Sequence, residues 1–126
     1  MAAGSAAGLG WTFARAGKLV LAPQAAILAV SRGGGTFLDS RAAADYAAGH
    51  IPKSQNIPDS ELPTRLPSIA KFKQKPIVLV CPNGMQAKKT VGALTKDGFT
   101  KVHVLAGGVA GWRDANLPLF NKKNKK

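Results

Sequence analysis

Cys81 is the only thiol in the chain, and it follows the run Ile77–Val80 and precedes Pro82-Asn83-Gly84. The run is short, apolar and rich in β-branched residues, the pattern of a strand buried on both faces of a parallel sheet. Pro82 lacks an N–H and Gly84 readily takes positive φ, so the strand must end at the cysteine. Residues from about 86 to 97 then read as a helix. A thiol on a loop between a strand end and a helix start meets unpaired backbone N–H groups, which favour an anion. Thiolate chemistry is therefore the first expectation. A buried structural cysteine is the alternative, but a turn of Pro, Asn and Gly is a poor place to bury a side chain.

One cysteine excludes an intrachain disulfide and a multi-cysteine metal site. His50 and His103 are far apart in sequence and make a poor metal pair. No metal or organic cofactor is expected. Asp39 and Arg41 lie where a second short strand should end, and a structural ion pair is preferred there over direct substrate contact. A phosphatase-type loop needs arginine six residues after the cysteine, and position 87 is Ala.

The elements that must position Cys81 can be read in order. Residues 19–21 form a short strand, and Pro23 suits the first turn of a helix running to about Ser31, closed by Gly33-Gly34-Gly35. Residues 36–38 form a strand, Ser40 is a candidate N-cap for a helix over 41–48, and Gly49 falls just past its end. Residues 51–67 carry four prolines and read as extended or turn-like, with one helical turn near 60–66 capped by Asp59 or Ser60. Residues 71–75 make a basic connection. After the cysteine loop, Ala87, Val91 and Leu94 recur at helical spacing, and Gly98 closes that helix with Phe99 folding back on Leu94. Residues 102–105 are another buried strand, Gly107-Gly108 a sharp turn, and Trp112 a core plug. The alternation predicts an α/β domain with a mainly parallel sheet, whose strand ends are where such folds hold ligands.

At 126 residues and 45% hydrophobic content the chain suits one domain. The expected division is a poorly ordered lead-in over 1–17, the domain over 18–119 and a basic tail over 120–126. No stretch offers the ~20 apolar residues of a membrane span, and a cytoplasmic location is expected. The net charge of +12 favours anionic partners. The four lysines near the C-terminus suggest a solubilising tail with weak contact to an anionic membrane; no nucleic-acid partner is expected, and a monomer is.

Three stretches together resemble the rhodanese-like sulfurtransferase family. The first is Asp39-Ser40-Arg41, Asp45-Tyr46, Gly49-His50-Ile51-Pro52 and Asn56-Ile57-Pro58. The second is Ile77–Val80 with Cys81 and Gly84; the third is Gly98-Phe99, Val102, Val104-Leu105, Gly107-Gly108-Val109 and Trp112, ending at Leu117-Pro118. The resemblance covers about residues 19–119. It implies a rhodanese-like α/β fold, a single mainly parallel sheet flanked by helices on both faces.

The same resemblance implies a two-step exchange. Cys81 as thiolate takes sulfur from a small anionic donor, thiosulfate or a persulfide, and a thiol or cyanide acceptor removes it. Helix N-termini and cations lower cysteine pKa values, and the loop Pro82, Asn83, Gly84, Met85, Gln86 and Ala87 is the expected anion-binding cradle, supported by Asp39 and Arg41. His50 falls in a turn for which the family implies a packing or hydrogen-bonding role. Many members carry arginine at the loop's second and last positions, where this chain has Pro82 and Gln86, and serine where it has Ala87; Lys88 and Lys89 are the nearby cations. The alternative function is a non-catalytic rhodanese-like module that binds an acidic partner or membrane surface.

Overall fold

The computed structural model describes residues 20–82 and 84–121. Strands and helices alternate as β1 (Val20–Leu21), α1 (Pro23–Gly33), β2 (Thr36–Asp39), α2 (Ala43–Ala48) and β3 (Gln55–Asn56). After these come α3 (Leu62–Arg65), set between 3-10 turns at Asp59–Glu61 and Leu66–Phe72, then β4 (Ile77–Val80), α4 (Gly84–Lys96), β5 (Val102–Leu105) and α5 (Gly108–Asp114). The strands form one sheet in the order β1-β5-β4-β2-β3, every neighbouring pair parallel. The expected lead-in over 1–17 and the lysines of the expected tail lie outside the described residues.

All four side chains of β4 are buried, and their period of two sends alternate residues to opposite faces. Ile77 and Leu79 join Leu38, Leu62, Ile69, Leu94, Phe99 and Val102 in one apolar layer beneath α3 and α4. Val78 and Val80 join Ala26, Phe37, Leu105 and Trp112 in the other, beneath α1 and α5. Trp112 plugs that second layer, edge-on to Phe37 at 5.4 Å, with its indole N–H donating to the Pro118 carbonyl at 2.8 Å. The helix closed by Gly98 has the expected geometry: Phe99 N–H reaches Leu94 O at 3.0 Å and Gly98 N–H reaches Thr95 O at 3.1 Å, with Gly98 at φ 100.

Several local expectations are corrected. Helix α2 starts at Ala43, with Ala42 at the cap position, so Ser40 is not an N-cap. The cause is the Asp39 carboxylate, which accepts the Arg41 N–H at 2.9 Å and holds residues 39–41 as a turn. Neither Asp59 nor Ser60 caps a helix; Pro58 occupies that position without a side-chain bond. The helical turn expected at 60–66 extends to Phe72, because Leu62, Leu66, Ile69 and Phe72 keep helical spacing across the prolines and pack on one layer. Lys71 thus lies in a helical turn. Helix α4 starts at Gly84, two residues before the expected start. Strand β3 falls in the segment read as extended or turn-like, where two polar residues give no alternation to detect.

His50 and Phe120 exchange both backbone hydrogen bonds at 2.8 Å, so ordered pairing reaches one residue into the segment assigned to the tail. At the opposite end of the sheet Gly35 lies against the Pro76 backbone so closely that a Cβ would sit 1.8 Å from the Pro76 oxygen. That oxygen accepts the Thr36 N–H at 3.0 Å, the first bond between β2 and β4. No helix among the described residues is long and apolar enough to cross a membrane.

Candidate active site

The site is set by the pairing of β2 with β4. Asp39 pairs with Val80, so the next residue of each strand, Ser40 and Cys81, meet at the strand ends. Parity adds to register. Cys81 follows Ile77 and Leu79, and Ser40 follows Leu38, so both side chains fall on the layer beneath α4. The Ser40 hydroxyl donates to Cys81 Sγ across 3.1 Å. Ser40 N–H bonds to Val80 O at 3.0 Å and fixes its backbone.

Asp39 and Arg41 hold Ser40 from either side. Arg41 Nε reaches Asp39 Oδ1 and Oδ2 at 3.0 and 3.1 Å, and Nη2 reaches Oδ2 at 2.8 Å. Nη2 also donates to Gly49 O at 2.8 Å. The Asp39 side chain is fully buried, so this fork is an internal ion pair and not a solvated one. Asn56 Nδ2 adds donors to the carbonyls of Asp39 and Arg41, both at 3.0 Å. Behind this turn His50 stacks on Tyr46 at 3.9 Å, its Nδ1 2.8 Å from the Tyr46 carbonyl oxygen.

Cys81 is half-buried at the edge of a cavity of about 310 Å³. Val20, Val104, Leu105 and Ala106 form one wall of it; Pro82 and Ala87 form the other. Gly107 and Gly108 close it, both at positive φ (73 and 57), and a Cβ on Gly108 would stand 3.2 Å from the Cys81 carbonyl oxygen. Only side chains without charge line this space among the described residues. No group of His, Cys, Asp or Glu suited to a metal ion occurs among them.

Burial pushes the Cys81 thiol above its ordinary range, the hydrogen bond from Ser40 and the nearby Thr90 hydroxyl pull it back, and the Asp39 and Asp59 carboxylates push it up again. The net direction is upward. This corrects the expectation that the loop depresses the thiol pKa: the apolar walls that shape the site also penalise the charged form. The Ser40 hydroxyl, which donates to Sγ, works in the opposite sense and favours ionisation.

Of the expected loop residues, Cys81, Pro82 and Ala87 line the cavity, and Gly84 opens α4. Met85 is largely exposed and Gln86 is absent from the lining; the Gln86 side-chain nitrogen is buried, and the Gln86 backbone carbonyl accepts the Thr90 hydroxyl at 3.0 Å. Asn83 lies outside the described residues. Lys88 and Lys89 are exposed and also stand outside the lining. Asp39 and Arg41 line no part of it and flank Ser40 as an ion pair. Ser40 is the residue that sequence reasoning missed, as the hydroxyl bonded to the thiol. Ser40 could have been found from one signal, its place directly after a strand destined to pair beside that of Cys81.

Comparison with known proteins identifies the family and the fold. The model of the rhodanese-like domain matches residues 23–115. The uncharacterized protein YibN of Escherichia coli K12 is 42% identical over 87 residues, covering 68% of this chain and 61% of that protein. The chain thus spans somewhat less than two thirds of that relative. Among solved structures, the Alr3790 protein from Anabaena superposes with a TM-score of 0.70 at 26% identity, covering 80% of this chain and 81% of that one. A thiosulfate sulfurtransferase from Pseudomonas aeruginosa superposes with a TM-score of 0.72 at 25% identity, covering 81% of this chain and 20% of that one.

Proposed function

This chain belongs to the rhodanese-like domain family, and from that premise we propose that it is a sulfurtransferase working through a persulfide on Cys81. The observation that carries the reading is the lone thiol at a strand-end cavity, hydrogen-bonded by Ser40 at 3.1 Å and facing the start of α4. Cys81 loses its proton and attacks the outer sulfur of the donor. With thiosulfate the S–S bond breaks, sulfite leaves with the electron pair, and Cys81 carries the added sulfur as Cys–S–S⁻. An acceptor such as cyanide or a thiolate then attacks that sulfur and returns Cys81 to the thiolate.

Each group has a physical task. The hydroxyl of Ser40 stabilises sulfur in its anionic form. Backbone N–H groups in the first turn of α4 have no partner within the helix and suit a terminal persulfide anion. The hydrocarbon side chains of the walls give the added sulfur a largely apolar setting. Asp39 and Arg41 are positioning residues that fix the turn bearing Ser40.

Intact mass after incubation with a sulfur donor tests the reading. The reduced protein is expected to gain one sulfur, to lose it on addition of cyanide, and to show neither change as Cys81→Ser. An unmodified mass with thiosulfate and with a persulfide donor would overturn sulfur transfer and leave a binding module.

A further inference from the structure

Resting on the sulfurtransferase reading, we propose that the cavity beside Cys81 selects a donor with an apolar carbon body, an alkyl or aryl persulfide, over the thiosulfate dianion. The walls carry the argument. Val20, Val104, Leu105, Ala106, Pro82 and Ala87 carry hydrocarbon side chains, and the greater part of the surface next to the sulfur is apolar. No Lys or Arg lines it among the described residues, and the charged groups felt at Cys81 are the carboxylates of Asp39 and Asp59.

Thiosulfate brings two negative charges and nothing to gain from hydrocarbon walls. Desolvating them in a largely apolar space, with no Lys or Arg in its lining to pair them, is costly. A persulfide R–S–SH divides its demands differently. Its terminal sulfur meets the thiol and the start of α4, while R fills the apolar space, each buried methylene tightening binding by about fourfold. At about 310 Å³ the cavity is at the small end for ligand sites and suits a body of benzyl size.

The chemistry balances without a further reactant. Cys81 thiolate attacks the terminal sulfur of R–S–SH, the donor S–S bond breaks, and R–S⁻ leaves with its electron pair and takes up the proton that Cys81 released. The sum is Cys–SH plus R–S–SH giving Cys–S–SH plus R–SH, with the moving sulfur unchanged in oxidation state.

The test measures second-order rates of single-sulfur addition to Cys81 by quenched intact mass. The donors are freshly released benzyl hydropersulfide and thiosulfate, each rate divided by that of the same donor with N-acetylcysteine. The expected normalised preference for benzyl hydropersulfide is about tenfold or more. Val20 is half-exposed at the rim, so Val20→Arg should fold and shift the preference toward thiosulfate by about threefold or more. A normalised preference of one or less, or an Arg variant with the same preference as the parent, overturns the assignment while sulfur transfer stands. If neither donor modifies reduced Cys81, sulfur transfer falls and the assignment falls with it.

Discussion

The Ser40 hydroxyl and the Cys81 sulfur, 3.1 Å apart, join the residues that follow two neighbouring parallel strands. A hydrogen bond to a charged acceptor is worth about 1.5–3 kcal/mol, and about 1.4 kcal/mol is a factor of ten. Ser40→Ala is therefore expected to slow alkylation of Cys81 by iodoacetamide at pH 7.5 by roughly tenfold. Circular dichroism should remain that of the parent. An unchanged alkylation rate would show that the hydroxyl does not favour the thiolate.

Burial raises the Cys81 pKa, so the reactive thiolate is scarce at neutral pH and gains about tenfold with each pH unit until the thiol has titrated. The alkylation rate should thus keep climbing through the range where an exposed thiol levels off, which N-acetylcysteine provides as a reference. A plateau at lower pH than the reference would mean that the start of α4 outweighs the burial.

Arg41→Ala leaves the fully buried Asp39 carboxylate without its guanidinium. Breaking a buried pair in this way costs about 3–5 kcal/mol, and urea denaturation should register a loss of that size. Arg41→Lys keeps the charge but not the fork, so it should recover only part of the stability. A loss below about 1 kcal/mol, the worth of a surface pair, would contradict an internal clamp.

Trp112→Ala removes the ring that packs edge-on against Phe37 and the N–H that holds the Pro118 carbonyl. Large-to-small changes of this kind cost about 3–5 kcal/mol. Thermal unfolding should show the loss, and Trp112→Phe, which keeps one aromatic ring and drops the other with the N–H, should restore part of the packing share. Equal losses for the two variants would assign the effect to the hydrogen bond.

The strands beside the cysteine were legible because Ile77–Val80 and Val102–Leu105 are apolar runs, and α4 because its apolar residues keep helical spacing. Cys81 at a strand end followed from Pro82 and Gly84. The partners of the thiol were not legible. Ser40 reaches it through the β2–β4 register, which links residues 41 positions apart, and a serine before helix-forming residues reads locally as a cap. The direction of the thiol pKa was missed for a related reason: the loop suggested N–H groups, while the walls come from β1, β5 and the turn after β5. Gln86 shows how little a loop position says about a side chain: its nitrogen is buried while the neighbouring Met85 is exposed.

Gly35 gives the site a dependence on distance along the sheet. A methyl group there would collide with the Pro76 oxygen, so β2 and β4 would have to separate where their ladder begins. From that point the paired strands act as a spacer of fixed length: Thr36 opposite Ile77 at one end requires Asp39 opposite Val80 at the other, and Ser40 then arrives level with Cys81. Five residues at about 3.3 Å each put the cause roughly 16 Å from the sulfur. A change as small as Gly35→Ala would therefore be felt as a chemical defect at the far end of the strand, with no contact between the altered residue and the thiol.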